Sequence, residues 1–320
     1  MKVIEADTAH EAYRPVLNHI LKEGYGVTTQ YGPTIEALNV ATVIRQPWEH
    51  VTMVPGRYAN PWVALSESLW VLAGRNDVAA LLPYNKRIAD FSDDGEIFYG
   101  AYGYRIKGQL KKVVNRLRQD SSDRRAFLLI SRPKDLFANT KDPPCNMVAT
   151  FKIRQGKLHM TVFCRSNDVH WGLFAVNLPE FGILQEFIAA RVGVHIGTQT
   201  HISNSLHAYL HGPGGDITNR MVHAWDEPLP KMPPGRRLFL PPISTALHDL
   251  LLDELWNIFS GQGIVTDHPA LCFAEDFLRW YREERAYPYP SPNSIRYSWM
   301  YPDWIKAGQH FLEWLNRDKR

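Results

Sequence analysis

The amino-acid sequence predicts an α+β protein, and three observations carry that reading. Two alternating apolar runs meet at a two-residue turn in the middle of the chain. Helix-spaced apolar residues with start and stop signals stand before and after them. A length of 320 residues, 45% hydrophobic and 22% charged, is enough to bury a sizeable core. The net charge of +3 and the dispersed Lys and Arg residues, apart from a run between Lys107 and Arg125, argue against a nucleic-acid partner. Cys145, Cys164 and Cys272 have no CxxC partner and no ligand-spaced histidines, so they point to neither a disulfide framework nor a metal centre and suit a reducing compartment. The chain opens with acidic residues where a signal peptide needs an apolar run, and no stretch approaches the ~18 apolar residues of a membrane span. The expected location is cytoplasmic, with no membrane partner.

Residues 8–23 place Ala12, Val16, Ile20 and Leu21 on one helical face, and 36–43 read as a strand. A second helix covers 62–72 and stops near Gly74. Residues 84–103 are polar, with Asp93, Asp94 and Gly95 as turn formers, and read as a loop lined with aromatics. Phe127 opens a buried strand, and Pro143 and Pro144 break the chain before Cys145. In 147–153 the residues Ala149, Phe151 and Ile153 share a face, in 158–164 Leu158, Met160 and Val162 do, and Gln155-Gly156 turns between them. A helix over 178–192 is introduced by Asn177, with Pro179 in its first turn and Glu180 in a capping-box-like place, and the chain turns at Gly193 and Gly197. The expected organisation is a catalytic core over 1–211, an ordered Pro/Gly-rich connector over 212–243 and a helical elaboration of the same domain over 244–320, with helices at 247–259, 270–285 and 304–317.

Cys145 follows two prolines that fix the approach of the chain, a rigid mount suited to a nucleophile. Alone, a cysteine opening a strand is more often a small buried hydrophobe. Arg165, Ser166, Asn167 and Asp168 put guanidinium, hydroxyl, amide and carboxylate in four residues, which suits a phosphate and a planar polar ligand, or else makes a solvated turn with an Asp cap. Arg124 and Arg125 offer two forks for an anion, or form an exposed charged turn. His207 and Tyr209 share a face if their segment is extended, where they can hold a sugar hydroxyl or simply pack. Glu67 stands at the edge of an apolar helix face; buried, its pKa would rise and suit proton transfer, whereas a surface Glu would do nothing.

Taken in order, Glu67-Ser68-Leu69-Trp70, Tyr99-Gly100, Asp123-Arg124-Arg125, Pro144-Cys145, the hairpin ending in Arg165 to Asp168, Gly172, Asn177 and His207-Ala208-Tyr209 agree in kind and approximate spacing with one family over about residues 30–211. The chain resembles the thymidylate synthases, a family that includes the phage pyrimidine nucleotide hydroxymethylases. The resemblance implies a large mixed β-sheet packed by helices and a homodimer formed through the sheet. It implies that Cys145 adds to C6 of a pyrimidine nucleotide, making C5 nucleophilic enough to attack the methylene of 5,10-methylenetetrahydrofolate. By the same resemblance Arg165 and Ser166, beside Asn167, hold the 5′-phosphate end, and Arg124 and Arg125 reach across from the other subunit. His207 and Tyr209 hold the sugar hydroxyl, and Glu67 relays protons through water. Asp168, Tyr99, Asn85 and Gly172 line the folate side, and Asn177 reads the pyrimidine edge, which favours uracil. An arginine beside the thiol is expected to favour the thiolate.

Three departures from the synthase pattern bear on the product. Asn85 falls about where the synthase has a tryptophan, Asn146 replaces the histidine after the cysteine, and 314–320 differ from the short apolar tail that seals the synthase site. In the synthase a hydride from the folate completes a methyl group, and in the hydroxymethylases water adds instead, so the branch depends on water exclusion. The expected reaction is hydroxymethylation of dUMP at C5. The alternatives, in order, are methylation to thymidylate, hydroxymethylation of dCMP or CMP, and a non-catalytic nucleotide- or RNA-binding homologue.

Overall fold

The hairpin at the middle of the sequence builds the middle of the sheet. In the computed structural model, which describes residues 1–240, 245–283 and 294–317, β5 (Asn146–Arg154) and β6 (Lys157–Asp168) pair antiparallel, with Phe151 opposite Met160 and Ile153 opposite Leu158. Gln155 and Gly156 both hold positive φ, 51° and 70°, the two-residue turn geometry that matches strand twist and that glycine adopts freely. Strand β6 continues through 165–168, so these four residues belong to a strand and not to a turn. β7 (His195–Tyr209) lies parallel to β6 and sets Ser205 beside Ser166 and His207 beside Asp168. β3 (Gly32–Ile44) pairs antiparallel with β7, β1 (Lys2–Ala6) and β2 (Tyr25–Thr29) pair with β3, and β4 (Phe127–Leu129) closes the far edge against β5. The result is a mixed sheet of seven strands packed by helices, the α+β architecture that the sequence predicts. β4 departs from the buried strand expected there: Leu128 is buried, but Phe127 and Leu129 are 48% and 47% exposed, because an edge strand has one covered face.

Among the helices, α1 (Ala9–Glu23) starts at Thr8, which accepts the Glu11 N–H, and buries Ala12, Tyr13, Val16, Leu17 and Ile20. α2 (Pro61–Leu72) is capped by the Asn60 side chain, which accepts from Trp62 N and Val63 N, and Glu67 is its one residue that is not buried. The polar stretch 84–103 contains a short 3-10 helix, Lys86–Phe91, and leads into α3 (Tyr102–Gln119).

α4 (Leu178–Val192) does not begin as predicted. Residues Val169–Asn177 form a π-helical turn that runs straight into it, and Asn177 is itself helical (φ −66°, ψ −42°) and caps nothing. The cap is Asp168, whose carboxylate accepts from His170 N at 2.9 Å and Trp171 N at 3.2 Å. Together the turn and α4 make a 24-residue helical run whose most apolar 18 residues have a mean hydropathy of 1.2, long and apolar enough to cross a membrane, yet buried inside the fold over that stretch. A helix apolar all round is what a core position requires.

The segment expected as a connector opens with α5 (Gly212–His223), where Pro213 sits in the first turn and needs no donor. α6 (Thr245–Ser260), α7 (Pro269–Glu283) and α8 (Pro302–Arg317) follow at the expected places; Arg285 and 318–320 lie outside the described residues. These helices cover the back of α2. Trp62 Nε1 donates to Phe277 O at 2.7 Å and its ring stacks on Phe277 and Tyr281, at 4.9 and 4.8 Å between centroids. Leu251, Leu255, Phe273, Trp304 and Phe311 thus share one core with Leu65, Leu69, Phe181 and Phe187.

One residue of this junction makes stability depend on pH. Asp303 is fully buried and neither carboxylate oxygen has a partner, so burial, relieved in part by His50 and reinforced by Glu49, pushes its pKa up to about 7. A folded pKa above the unfolded one means stability that is complete below the unfolded pKa, near 4, and lost as pH rises through about 7. Asp303→Asn removes the titration. Urea unfolding at pH 5 and pH 8 should therefore show the variant gaining on the parent by ~2 kcal/mol at the higher pH. An equal difference at both pH values would refute the assignment.

Candidate active site

The hairpin brings thiol and guanidinium together across β5 and β6. Arg165 N donates to Cys145 O at 3.0 Å, and the Arg165 side chain donates to Pro144 O and Pro143 O, both at 3.0 Å, with Nη2 3.6 Å from Cys145 Sγ. The two prolines therefore present their carbonyls to the arginine that faces the thiol. The electrostatic expectation does not hold: burial pushes the Cys145 pKa up, Arg165 draws it down, Asp142 pushes it up again, and the net shift is upward. One guanidinium shared with two carbonyls does not outweigh the loss of solvent, so the thiol is the resting form.

Glu67 carries the raised pKa expected of a buried acid. Although the residue is partly accessible, its Oε1 is shut off from solvent without a hydrogen-bond partner, and burial together with the nearby Asp142 charge pushes the pKa to about 8. Asp142 is pushed up to about 6 by burial while accepting the Gly100 N–H at 2.6 Å. A carboxylic acid still protonated at neutral pH can act as a proton donor.

The sequence offers Glu180 only as a capping-box acid and Asn146 only as a departure from the synthase pattern, and both belong to this region. Glu180, expected in a capping box, is 2% exposed with Oε1 unpartnered, and burial plus Glu67 hold its pKa well above the ordinary value. Its one signal in the sequence is an acid in the otherwise apolar run Leu178 to Ile183. Asn146 is fully buried, both polar atoms of its side-chain amide lack a protein partner, and its backbone N donates to Tyr102 Oη at 3.4 Å.

On the other side of the thiol, Asn177 Nδ2 donates to Asn167 Oδ1 at 3.1 Å, and Asn167 Nδ2 donates to Ser203 Oγ at 3.2 Å. Gly172 closes against them: a Cβ there would lie 2.5 Å from Asn167 Oδ1. His207 and Tyr209 share a face as predicted, their rings edge-on at 5.3 Å. Burial raises the pKa of Asp168 and lowers that of His207, and it pushes Tyr209 to about 12 with Asp168 adding to the effect.

A buried chain supports this end. Thr218 Oγ1 donates to Tyr209 O or Gly214 O, so His170 Nε2 donates to Thr218 Oγ1 at 2.8 Å and His170 Nδ1 accepts from Tyr13 Oη at 3.0 Å. Burial, with Arg57 and Arg220, keeps this histidine neutral, its pKa lowered to about 3, and Arg57 donates twice to His170 O. Trp171, 36% exposed beside the Asp168 cap, adds an accessible aromatic that the sequence did not single out.

Of the other predicted residues, the two arginines stand apart. Arg124 and Arg125 are exposed, and Asp123 holds Arg125 through its backbone N and side chain. Since Phe127 pairs with Thr150, the strand back to Cys145 spans ~17 Å at ~3.4 Å per residue, which puts both arginines at the far end of the sheet within one chain. Tyr99 donates to Asp135 at 2.9 Å, within the ion pair that Asp135 makes with Arg105 at 2.7 Å. Asn85 accepts the Arg87 N–H and starts the 3-10 helix.

Comparison with known proteins agrees with this arrangement. The thymidylate synthase family model matches residues 11–233. The deoxyuridylate hydroxymethyltransferase of Bacillus phage SP01 is 38% identical over 228 residues, 65% of this chain and 59% of that protein. Its namesake in Pseudomonas phage M6 is 39% identical over 217 residues, 65% and 62% of the two chains, and that of Delftia phage PhiW-14 is 30% identical over 185 residues, 53% and 52%. The chain thus spans between 52% and 62% of the length of these relatives. The family match reaches from α1 into the segment after α5 and takes in Glu67, Cys145, the Arg165 to Asp168 strand end, Asn177, His207 and Tyr209, and the chain belongs to the thymidylate synthase family.

Proposed function

We propose that this protein hydroxymethylates dUMP at C5, giving 5-hydroxymethyl-dUMP, through a covalent bond between Cys145 and C6. The phage relatives bear the name of that activity. The observation that carries the choice of product is the polar lining beside the thiol: Asn146, next to Cys145 and in place of the histidine of the synthase pattern, and the acid Glu180 keep buried polar atoms without partners among the described residues. Such atoms are ordinarily satisfied by water. A site that must exclude water from a reactive methylene would not be lined in this way.

The one-carbon donor, 5,10-methylenetetrahydrofolate, supplies carbon at the oxidation level of formaldehyde and leaves as tetrahydrofolate. The donor set suits a flat, polar pterin: Asp168 offers a carboxylate and Trp171 an accessible ring, with Gly172, Tyr99 and Asn85 assigned to the same side. Cys145 Sγ bonds to C6 as its proton leaves, and the displaced electron pair makes C5 the nucleophile. Glu67 delivers a proton toward O4 through water. The transferred carbon joins C5 as its two bonds to nitrogen in the donor break, the C5 proton and one proton of the added water taking their place; Asn146 and Glu180 hold that water, whose oxygen bonds to the new exocyclic carbon, and Sγ departs from C6 and regains its proton as the ring is restored. Arg165 and Ser166 take the phosphate, and Asn167 and Asn177 stand toward the base. His207 and Tyr209 take the sugar hydroxyl.

The reading includes a homodimer through the sheet. Leu129, Val148, Phe163, Ile202, Ala41 and Val3 pair one after another across six strands as an apolar row, with Leu129, Phe163 and Val3 at 47%, 38% and 53% exposed. A partner on that row would let Arg124 and Arg125, remote from their own Cys145, serve the partner's phosphate. Cys145, Cys164 and Cys272 are all free thiols, which suits the cytoplasm.

Mass analysis of the product from dUMP and methylenetetrahydrofolate tests the reading. A gain of CH2O without dihydrofolate absorbance is expected, whereas a methyl product with dihydrofolate would make the protein a thymidylate synthase.

A further inference from the structure

The amides behind Asn177 form a chain with a direction, and direction is what tells uracil from cytosine. Uracil offers a donor at N3 and an acceptor at C4, and cytosine offers the reverse. A side-chain amide carries one group of each kind and satisfies either base by turning over. An amide that is to discriminate must therefore be held.

Asn167 provides the hold. It is 2% exposed and Asn177 is 6% exposed; Asn177 Nδ2 donates to Asn167 Oδ1 at 3.1 Å, and Asn167 Nδ2 donates to Ser203 Oγ at 3.2 Å, with Ser203 itself 1% exposed. A carbonyl oxygen only accepts, so turning Asn177 over alone would set two acceptors against each other at hydrogen-bond distance. Turning it over without that conflict requires Asn167 to turn as well and the Ser203 hydroxyl to change from acceptor to donor. All three groups lie in the interior, between the end of β6, the π-helical turn and β7. The approach of Asn167 depends on Gly172, where a Cβ would intrude to 2.5 Å from Oδ1.

We propose that Asn167 is a specificity-determining positioning residue: by pinning the Asn177 amide in one orientation it makes the site select uracil over cytosine. This rests on the reading above that Asn177 faces the base. Asn167 acts through Asn177.

Direct binding of dUMP and dCMP, measured by calorimetry on the full chain, tests it independently of turnover. Asn167→Ala should lower the preference for dUMP over dCMP by ~10- to 100-fold, the scale on which one buried hydrogen bond discriminates. Asn167→Asp keeps an acceptor toward Asn177 that cannot turn over, so the preference should persist. Equal weakening of both nucleotides in Asn167→Ala, or loss of preference in a folded Asn167→Asp, would overturn the proposal. If Asn167→Ala does not fold, the Asn167→Asp comparison decides. Asn177→Asp separates the underlying reading: a shift toward dCMP is expected, and an unchanged preference would mean that Asn177 does not face the base, whatever Asn167 does.

Discussion

Cys145→Ser abolishes turnover of dUMP, a loss of ~10⁴-fold or more, while dUMP still binds; this is the largest effect expected of a single change. The hydroxyl that replaces the thiol ionises far less readily and attacks C6 poorly. Its surroundings barely change, because the clamp on this residue is built from backbone: Arg165 donates to the carbonyls of Pro143, Pro144 and Cys145 and meets the sulfur only at 3.6 Å. Tritium release from 5-tritiated dUMP reports the chemistry, and calorimetry reports the binding. Release at the parent rate would end the covalent mechanism. Loss of binding along with turnover would instead give the sulfur a structural part.

Trp62→Ala carries the largest expected cost in stability, about 3–5 kcal/mol. Trp62 is fully buried at the start of α2, stacks on Phe277 and Tyr281, meets Trp280 and Phe311 edge-on, and donates to Phe277 O. Truncation leaves a cavity where α7 and α8 lean on the helix that carries Glu67, and no small movement of one helix fills it. Denaturant unfolding measures the loss. A cost under ~1 kcal/mol would show that α7 and α8 are not anchored through this ring.

Much of this was legible in the residues. The turn at Gln155-Gly156 and the alternation on either side specified the central hairpin, because a period of two and a turn with positive φ are local properties. The helix at α1 followed from apolar spacing and the end of α2 from the stop near Gly74, local signals of the same kind. Where the reading went astray, a distant element decided the outcome. Asn177 has the composition of a cap, yet Asp168, at the end of β6, reaches the free N–H groups first and the helix begins earlier. Of the alternative that made Arg165 to Asp168 a solvated turn with an Asp cap, the cap holds at Asp168 and the turn does not, because β7 offers these residues a parallel neighbour and the strand goes on.

The sequence by itself determined which groups the site has and where the chain mounts them: a cysteine after two prolines, an arginine one hairpin away, an acid on an apolar helix and two amides in order. Only the tertiary structure decided their state. Glu67 and Glu180 are acids with raised pKa because α2 and α4 pack together and bury them, and Cys145 rests as a thiol although an arginine lies beside it. Burial is set by what packs over a residue, and desolvation acts on whichever form is charged. Neither is a property of the residue's own neighbours in sequence.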